Sequence, residues 1–154
     1  IDAEIKYKNN KEFFIRMNGY SIFDSDNLFE ETLEGMENGQ KREILMNNSI
    51  IKIQKDKKGK INKEIIKMKW KNWIDYWAVD FDFESKQEII TKDGKDEWTG
   101  DYIFENEWQD FRTLNHDIDF DSRPEKIDKT KKIAVKVVDI FGNDTMKILK
   151  HKND

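Results

Sequence analysis

The residues best placed to do chemistry lie around Glu84 and Lys86. The stretch 82–86 contains Glu-x-Lys at the end of an expected strand, with Asp75 upstream. Magnesium-dependent nucleases combine an Asp with a Glu-x-Lys pair, because hard cations prefer carboxylate oxygens. Glu-x-Lys also arises easily by chance here, since 39% of the residues are charged. We therefore interpret the stretch as a surface strand and keep the magnesium-dependent nuclease as a remote alternative.

Three alternating aspartates, Asp117, Asp119 and Asp121, resemble the start of a calcium-binding loop. Such a loop needs glycine at its sixth position, where Ser122 stands, and a bidentate glutamate at its twelfth, where Asp128 stands. Because apolar residues alternate with the aspartates, the segment is more typical of a strand. We expect no metal site here.

Other catalytic side chains are sparse. The chain has no cysteine, which excludes disulfides, thiolate metal sites and a cysteine nucleophile. His116 and His151 stand far apart in polar stretches and are expected on the surface. The single proline, Pro124, excludes the Asp/Asn-Pro-Pro-aromatic loop of an amino-methyltransferase, and no glycine-rich cofactor loop or Walker loop occurs. We predict no catalytic residue, metal or cofactor, so the chain is not itself expected to be an enzyme.

Positive charge is concentrated in residues 52–71, which carry nine lysines against two acids, whereas residues 72–128 have a net charge of −11. One interpretation is a ribbon that binds a polyanion and releases counterions. The other is an edge hairpin whose lysines block aggregation between sheets. Trp70 lies between two lysines and could stack on unpaired bases. The candidate DNA contacts are Lys57, Lys58, Lys60, Lys67, Lys69, Trp70 and Lys71.

Periodicity predicts a mainly β protein of eight to ten short strands. Apolar residues three and four apart predict one helix, at about residues 26–37, with Asp24, Ser25 or Asp26 as its cap. Alternation predicts strands at 4–8, 12–17, 77–83, 87–91, 98–104 and 107–113, and hairpins at 49–53 with 61–68 and at 133–140 with 145–149. We expect Trp77 and Trp108 in the core, and Trp70 and Trp73 exposed.

The length of 154 residues fits one compact unit. We divide it into an N-terminal elaboration, residues 1–69, and a sandwich, residues 70–154. The elaboration contains strands, the helix and the lysine-rich hairpin. Because the chain begins at Ile1, we interpret it as a segment of a larger protein. No apolar run is long enough for a membrane span, and we expect a cytoplasmic protein without membrane contact.

Two segments resemble an immunoglobulin-like sandwich of the PKD type. Residues 75–82, Asp-Tyr-Trp-Ala-Val-Asp-Phe-Asp, resemble its tryptophan-bearing strand. Residues 133–145, Ile-Ala-Val-Lys-Val-Val-Asp-Ile-Phe-Gly-Asn-Asp-Thr, resemble its closing strand pair. The glycine-rich turn usual after the tryptophan strand is absent here. The resemblance covers about residues 70–150 and implies a β-sandwich.

Residues 73–81, 104–113 and 137–145 also resemble the C-terminal region of site-specific DNA methyltransferases of restriction–modification systems. In that family the methyl-transfer machinery lies upstream. The resemblance implies a non-catalytic accessory domain that assists DNA engagement or assembly with a restriction–modification subunit. The alternative is a protein-interaction or structural sandwich module with no nucleic-acid role.

Overall fold

The computed structural model describes residues 1–21, 28–46 and 49–152. Within them the chain forms twelve strands and one short helix, α1 (Leu28–Glu34), which confirms the prediction of a mainly β protein. In chain order, the strands are β1 (Asp2–Tyr7), β2 (Glu12–Gly19), β3 (Lys41–Met46), β4 (Ser49–Lys55), β5 (Ile61–Lys67), β6 (Ile74–Phe83), β7 (Gln87–Lys92), β8 (Lys95–Tyr102), β9 (Trp108–Phe111), β10 (Glu125–Lys126), β11 (Lys132–Asp139) and β12 (Asp144–Leu149). No helix among the described residues is both long and apolar enough to cross a membrane.

The chain divides into two compact units. Residues 1–19 and 74–154 form the first, which we call the sandwich unit, and residues 20–73 form the second, which we call the insert unit. This division differs from the predicted boundary at residue 69. The reason is that β1 pairs with β2, and β2 pairs with β10, so both strands join the C-terminal half.

The sandwich unit contains two larger antiparallel sheets, ordered β1-β2-β10 and β12-β11-β6-β9, and the separate two-stranded sheet β7-β8. Alternate residues of β2, namely Phe13, Ile15 and Met17, are buried. The Phe13 ring meets the Phe81 ring edge-on, with centroids 6.0 Å apart. The core of this unit therefore lies where the inner faces of the two sheets meet, as the period-two patterns predicted.

Strand β6 is buried on both of its faces. Trp77 and Val79 belong to the inner face, while Ala78 and Asp80 on the opposite face are also fully buried. The segment before β9 crosses this outer face, where the Glu105 amide donates to the Asp80 carboxylate at 2.9 Å. Because this cover is local, it protects the middle of β6 and leaves other parts of the outer face exposed.

Trp77 anchors the loop that precedes β10. Its indole Nε1 donates to the Asp119 carbonyl oxygen at 2.8 Å. The Trp108 ring packs edge-on against Trp77, with centroids 4.7 Å apart. Trp77 is fully buried and Trp108 is half-buried against it, so both pack in the core as predicted.

The insert unit is a three-stranded antiparallel sheet, β3-β4-β5, with α1 on one face. Its core consists of Met36, Ile44, Ile51 and Ile53, with Leu28, Phe29 and Leu33 of the helix packed against them. The predicted hairpin of β4 and β5 is confirmed. Strand β3 was missed, because its first three residues, Lys-Arg-Glu, give little apolar signal.

Helix α1 is shorter than predicted at its C-terminal end. The helix ends at Glu34 rather than near residue 37. The Gly35 amide still bonds to the Glu31 carbonyl, but the Met36 amide bonds to Leu33, only three residues back. This tightening ends the helix. Its predicted start and caps fall in residues 22–27, outside the described residues.

Candidate nucleic-acid interface

The insert sheet has one face that packs against α1 and one outer face that is turned away from it. Ile51 and Ile53 of β4 point toward α1, so their neighbours Lys52 and Gln54 lie on the opposite, outer face. The strand register extends this outer face across three strands. Gln54 lies opposite both Lys41 of β3 and Asn62 of β5. These three exposed side chains form a polar row beside the β4–β5 turn.

The β4–β5 turn presents three exposed lysines, Lys57, Lys58 and Lys60. Asp56 shapes this turn, because its Oδ1 accepts the amides of Lys58 at 2.9 Å and Lys60 at 2.7 Å. Its carboxylate is therefore engaged with the backbone. Gly59 has φ of +84°, a conformation that favours glycine.

The other predicted contacts lie at the opposite end of β5. Lys67 ends the strand, Lys69 follows it, and Trp70 opens a short 3-10 turn. The Lys71 ammonium lies 5.7 Å from the centroid of the Trp70 ring, a cation–π contact. The predicted aromatic-plus-basic cluster therefore exists as a local arrangement.

The seven candidate residues form two groups rather than one patch. One group is at the β4–β5 turn, and the other is at the far end of β5, a strand of seven residues. At about 3.3 Å per residue the groups are about 20 Å apart. All seven belong to the insert unit.

Five of these lysines are not neutralised by a neighbouring acid. Within the described part of the chain, no carboxylate forms an ion pair with Lys57, Lys58, Lys60, Lys67 or Lys69. Net charge also differs between the units. The insert unit has eleven bases and nine acids, whereas the sandwich unit has seventeen bases and twenty-three acids. A polyanion is therefore attracted to the insert unit and repelled by the sandwich unit.

The residues of the nuclease alternative are engaged in separate ion pairs. Glu84 lies in a turn with φ of +79° and accepts from the Lys132 ammonium at 2.7 Å. Lys86 pairs instead with Glu105. Glu84 and Lys86 therefore have different ion-pair partners in this structure. Among the described residues, no group of three or more His, Asp or Glu side chains could hold a metal ion.

The aspartates of the apparent calcium loop also have structural roles. The Arg16 guanidinium donates two hydrogen bonds to Asp121, at 2.8 and 3.0 Å. This contact holds the pKa of Asp121 below its usual range. Asp119 accepts the Asp121 amide at 3.1 Å. The carboxylates therefore fasten the loop to β2 and to itself.

Two expectations about exposure were wrong. Trp73 is only 1% exposed, at the end of the short 3-10 turn that precedes β6. His151 is 7% exposed and lies edge-on to Phe13 with centroids 4.7 Å apart, while its Nδ1 is hydrogen-bonded to the Tyr7 hydroxyl at 2.9 Å. These contacts are distant in sequence, so the polar neighbours of His151 gave no sign of them. His116 is exposed, as predicted, and hydrogen-bonds to Asp110.

Two features of the surface were not predicted from the sequence. The first is the row of Lys41, Gln54 and Asn62, which depends on β3 being recognised. The alternation of apolar and polar residues in the two hairpin strands could have predicted that Gln54 lies opposite Asn62. The second is an apolar area on the outer face of the second sandwich sheet. There Met146 and Ile148 of β12 are 47% and 42% exposed, and Phe111 of β9, at the opposite edge of the sheet, is 51% exposed.

Comparison with protein-family models, with curated proteins and with solved structures gives no significant match. The functional argument therefore rests on the geometry of the chain and on the sequence resemblance described above.

Proposed function

We propose that this chain is a non-catalytic accessory module that engages duplex DNA through its insert unit. The observation that carries the proposal is the set of five exposed lysines that no carboxylate of the described chain neutralises. Leaving these charges unpaired costs the fold little, since surface ion pairs contribute about 0–1 kcal/mol, so the lysines remain available to a ligand. Contacts between these lysines and DNA phosphates favour binding, because each contact releases condensed counterions.

The spacing of the two lysine groups suits a duplex. Phosphates follow one another at about 3.4 Å of helix axis on each strand, so a span of about 20 Å covers roughly six of them. Both ends of β5 can then contact the same duplex. If all five lysines meet phosphates, the logarithm of the binding constant falls with the logarithm of salt with a slope of about −4.5.

Fluorescence anisotropy of a labelled duplex of mixed sequence tests this proposal at several salt concentrations. In the first variant, Lys57 and Lys58 are both changed to Gln. We expect weaker binding to every duplex and a salt slope shallower by about 2, because two phosphate contacts are lost. The matched control changes Lys92 and Lys95 to Gln, since these lysines flank the β7–β8 turn in the acidic sandwich unit. The absence of binding at low salt would refute the proposal.

We further propose that the sandwich unit is of the immunoglobulin type. Its sheet orders, β1-β2-β10 and β12-β11-β6-β9, match the A-B-E and G-F-C-C′ orders of that fold. Trp77 is buried on β6, the strand that corresponds to C. In this scheme the insert unit occupies the connection between strands B and C, and β7 and β8 are added between C and C′.

The parent protein that we propose is a restriction–modification DNA methyltransferase, with this chain as its accessory domain. Support comes from the resemblance of residues 73–81, 104–113 and 137–145 and from the DNA engagement proposed above. The coding sequence upstream of Ile1 tests this assignment. It should encode an Asp/Asn-Pro-Pro-aromatic loop and a glycine-rich cofactor loop, and a different upstream domain would contradict it.

A second candidate function is a protein-interaction module. The exposed Met146 and Ile148, on one face of the edge strand β12, favour it, because exposed apolar surface often marks a contact. The anisotropy experiment separates the two functions. DNA binding that is unchanged by Met146→Ser and Ile148→Ser supports the DNA module. Absence of DNA binding would leave the apolar face as the better candidate, with the lysines protecting the β5 edge.

A further inference from the structure

We infer that the turn end of the outer face of the insert sheet, the row of Lys41, Gln54 and Asn62, lies in the major groove of duplex DNA, where Gln54 and Asn62 contact base edges. This inference rests on the DNA binding proposed above and adds sequence recognition to it. It would make Gln54 and Asn62 specificity-determining residues, whereas the lysines would supply affinity that does not depend on sequence.

The first support is the pairing of two amides across neighbouring strands. Gln54 and Asn62 are directly opposite each other, on the face away from α1. Both are exposed, and neither side-chain amide is hydrogen-bonded to another part of the described chain. A carboxamide presents one acceptor and two donors. It can therefore form a bidentate pair with N6 and N7 of adenine.

The dimensions of the sheet also agree with this placement. Neighbouring strands are about 4.8 Å apart, so the three strands span about 10 Å from first to last. The major groove of B-form DNA is about 12 Å wide and admits a two-stranded β-ribbon, such as that of β4 and β5, which carry Gln54 and Asn62. The major groove of A-form RNA is deep and too narrow for side chains to reach the bases. The sheet face therefore fits DNA rather than double-stranded RNA.

The charges around the Gln54–Asn62 pair determine which end of the sheet attracts the phosphates of DNA. Lys41 extends the row on one side, and the lysine-bearing β4–β5 turn adjoins it. The next row, Glu43, Lys52 and Glu64, contains two acids. Lys52 and Glu43 in that row lie 3.9 Å apart. Phosphates are thus attracted to the end of the sheet near the turn and repelled from its middle, which leaves the Gln54–Asn62 pair nearest the bound duplex.

Selection from a duplex library with a randomised central segment tests the inference. The intact chain is mixed with the library at moderate salt, and the bound fraction is sequenced. We expect enrichment of a short motif that contains adenine. In Gln54→Ala and Asn62→Ala, preference at one motif position should fall by about tenfold, the size expected for one bidentate contact. Affinity for the unselected library should change little.

Gln109→Ala is the matched control, because Gln109 is an exposed strand amide of the sandwich unit. It should retain the motif. If the wild-type chain binds the library with a steep salt dependence but enriches no motif, the inference fails while the proposed DNA binding stands. If the chain does not bind the library at low salt, both fail. Loss of the motif in Gln109→Ala would place the recognition surface on the sandwich unit and overturn the inference.

Discussion

Buried polar atoms show how single residues hold this fold together. The Trp77 indole N–H has its acceptor in the loop before β10, and Ser122 of that loop accepts the Ile15 amide at 2.9 Å. Each contact joins segments more than forty residues apart in the sequence. Such contacts are costly to break, because a buried polar group left without a partner loses its hydration as well as its bond.

Replacing Trp77 with Phe should lower the free energy of unfolding by about 2–4 kcal/mol. The change removes the donor to the Asp119 carbonyl and leaves a cavity in the core. Urea denaturation measures the effect. The matched control is Trp98→Phe on the exposed β7–β8 hairpin, where we expect a loss below about 1 kcal/mol. Equal losses in the two variants would contradict the structural role of Trp77.

His151 should make the fold sensitive to mild acid. Burial lowers the pKa of its imidazole, and the nearby Lys129 lowers it further. As pH falls through the ordinary histidine value, the unfolded chain takes up a proton before the folded chain does. The free energy of unfolding therefore decreases with acidification, and the loss levels off below the folded pKa.

Unfolding of the wild type and of His151→Phe at closely spaced pH values checks whether the free energy of unfolding falls with acidification. The wild type should lose stability relative to the variant as pH falls from about 7 toward 5, within the window of the ordinary histidine pKa. Between pH 7.5 and 8.5 the difference between the two proteins should stay constant, because neither state then binds the proton. A difference that grew with rising pH would contradict the burial of a neutral imidazole.

Among the elements, the β7–β8 hairpin depends most on its turn. The hairpin pairs with no other sheet in the described structure, and both its strands are largely exposed. Asp93 and Gly94 have φ of +53° and +75°, the two positive angles of a type I′ turn. A two-stranded sheet is marginally stable alone, so the turn contributes much of its order.

Changing Gly94 to Ala should loosen this hairpin by about 1–2 kcal/mol, because alanine disfavours the left-handed conformation. Amide hydrogen exchange should become faster in β7 and β8 and stay unchanged in β11. The control is Gly35→Ala, where the added methyl group would be in ordinary contact with the Glu31 carbonyl. Unchanged exchange in the hairpin would show that contacts such as that between Phe83 and Tyr102 hold it instead.

At the scale of the whole molecule, net charge and chain order distinguish the insert unit from the sandwich unit. The insert unit carries the excess positive charge and the sandwich unit the excess negative charge. The two ends of the insert, at residues 20 and 73, follow and precede strands of the sandwich unit. Because the strands of the sandwich pair without the insert, its framework does not depend on β3, β4 or β5 for hydrogen bonds.

Replacing residues 20–73 with a short glycine–serine linker should leave the sandwich folded and abolish DNA binding. Circular dichroism and cooperative urea unfolding check the first outcome, and anisotropy checks the second. The control removes residues 88–101, the acidic β7–β8 hairpin, and should keep or slightly strengthen DNA binding because repulsion decreases. DNA binding by the chain without its insert would contradict the proposed site.

Local signals in the sequence determined most of the strands. Alternation predicted β2, β6 and β11 because one face of each is buried, and the lysine-rich connection at residues 55–60 predicted the β4–β5 hairpin. Strand β3 was missed because three charged residues are followed by three consecutive apolar residues, which gives no period-two alternation. The exposed lysines could be predicted from charge alone, since solvation of a charged side chain needs no tertiary partner.

The tertiary structure alone decided which distant residues meet. It assigned the first two strands to the sandwich unit, buried Trp73 and His151, and separated the seven DNA candidates into two groups. It also placed Lys41, Gln54 and Asn62 in one row. The physical reason is that strand pairing and side-chain burial depend on contacts between residues far apart along the chain. Composition and periodicity describe only residues that are close together in the sequence.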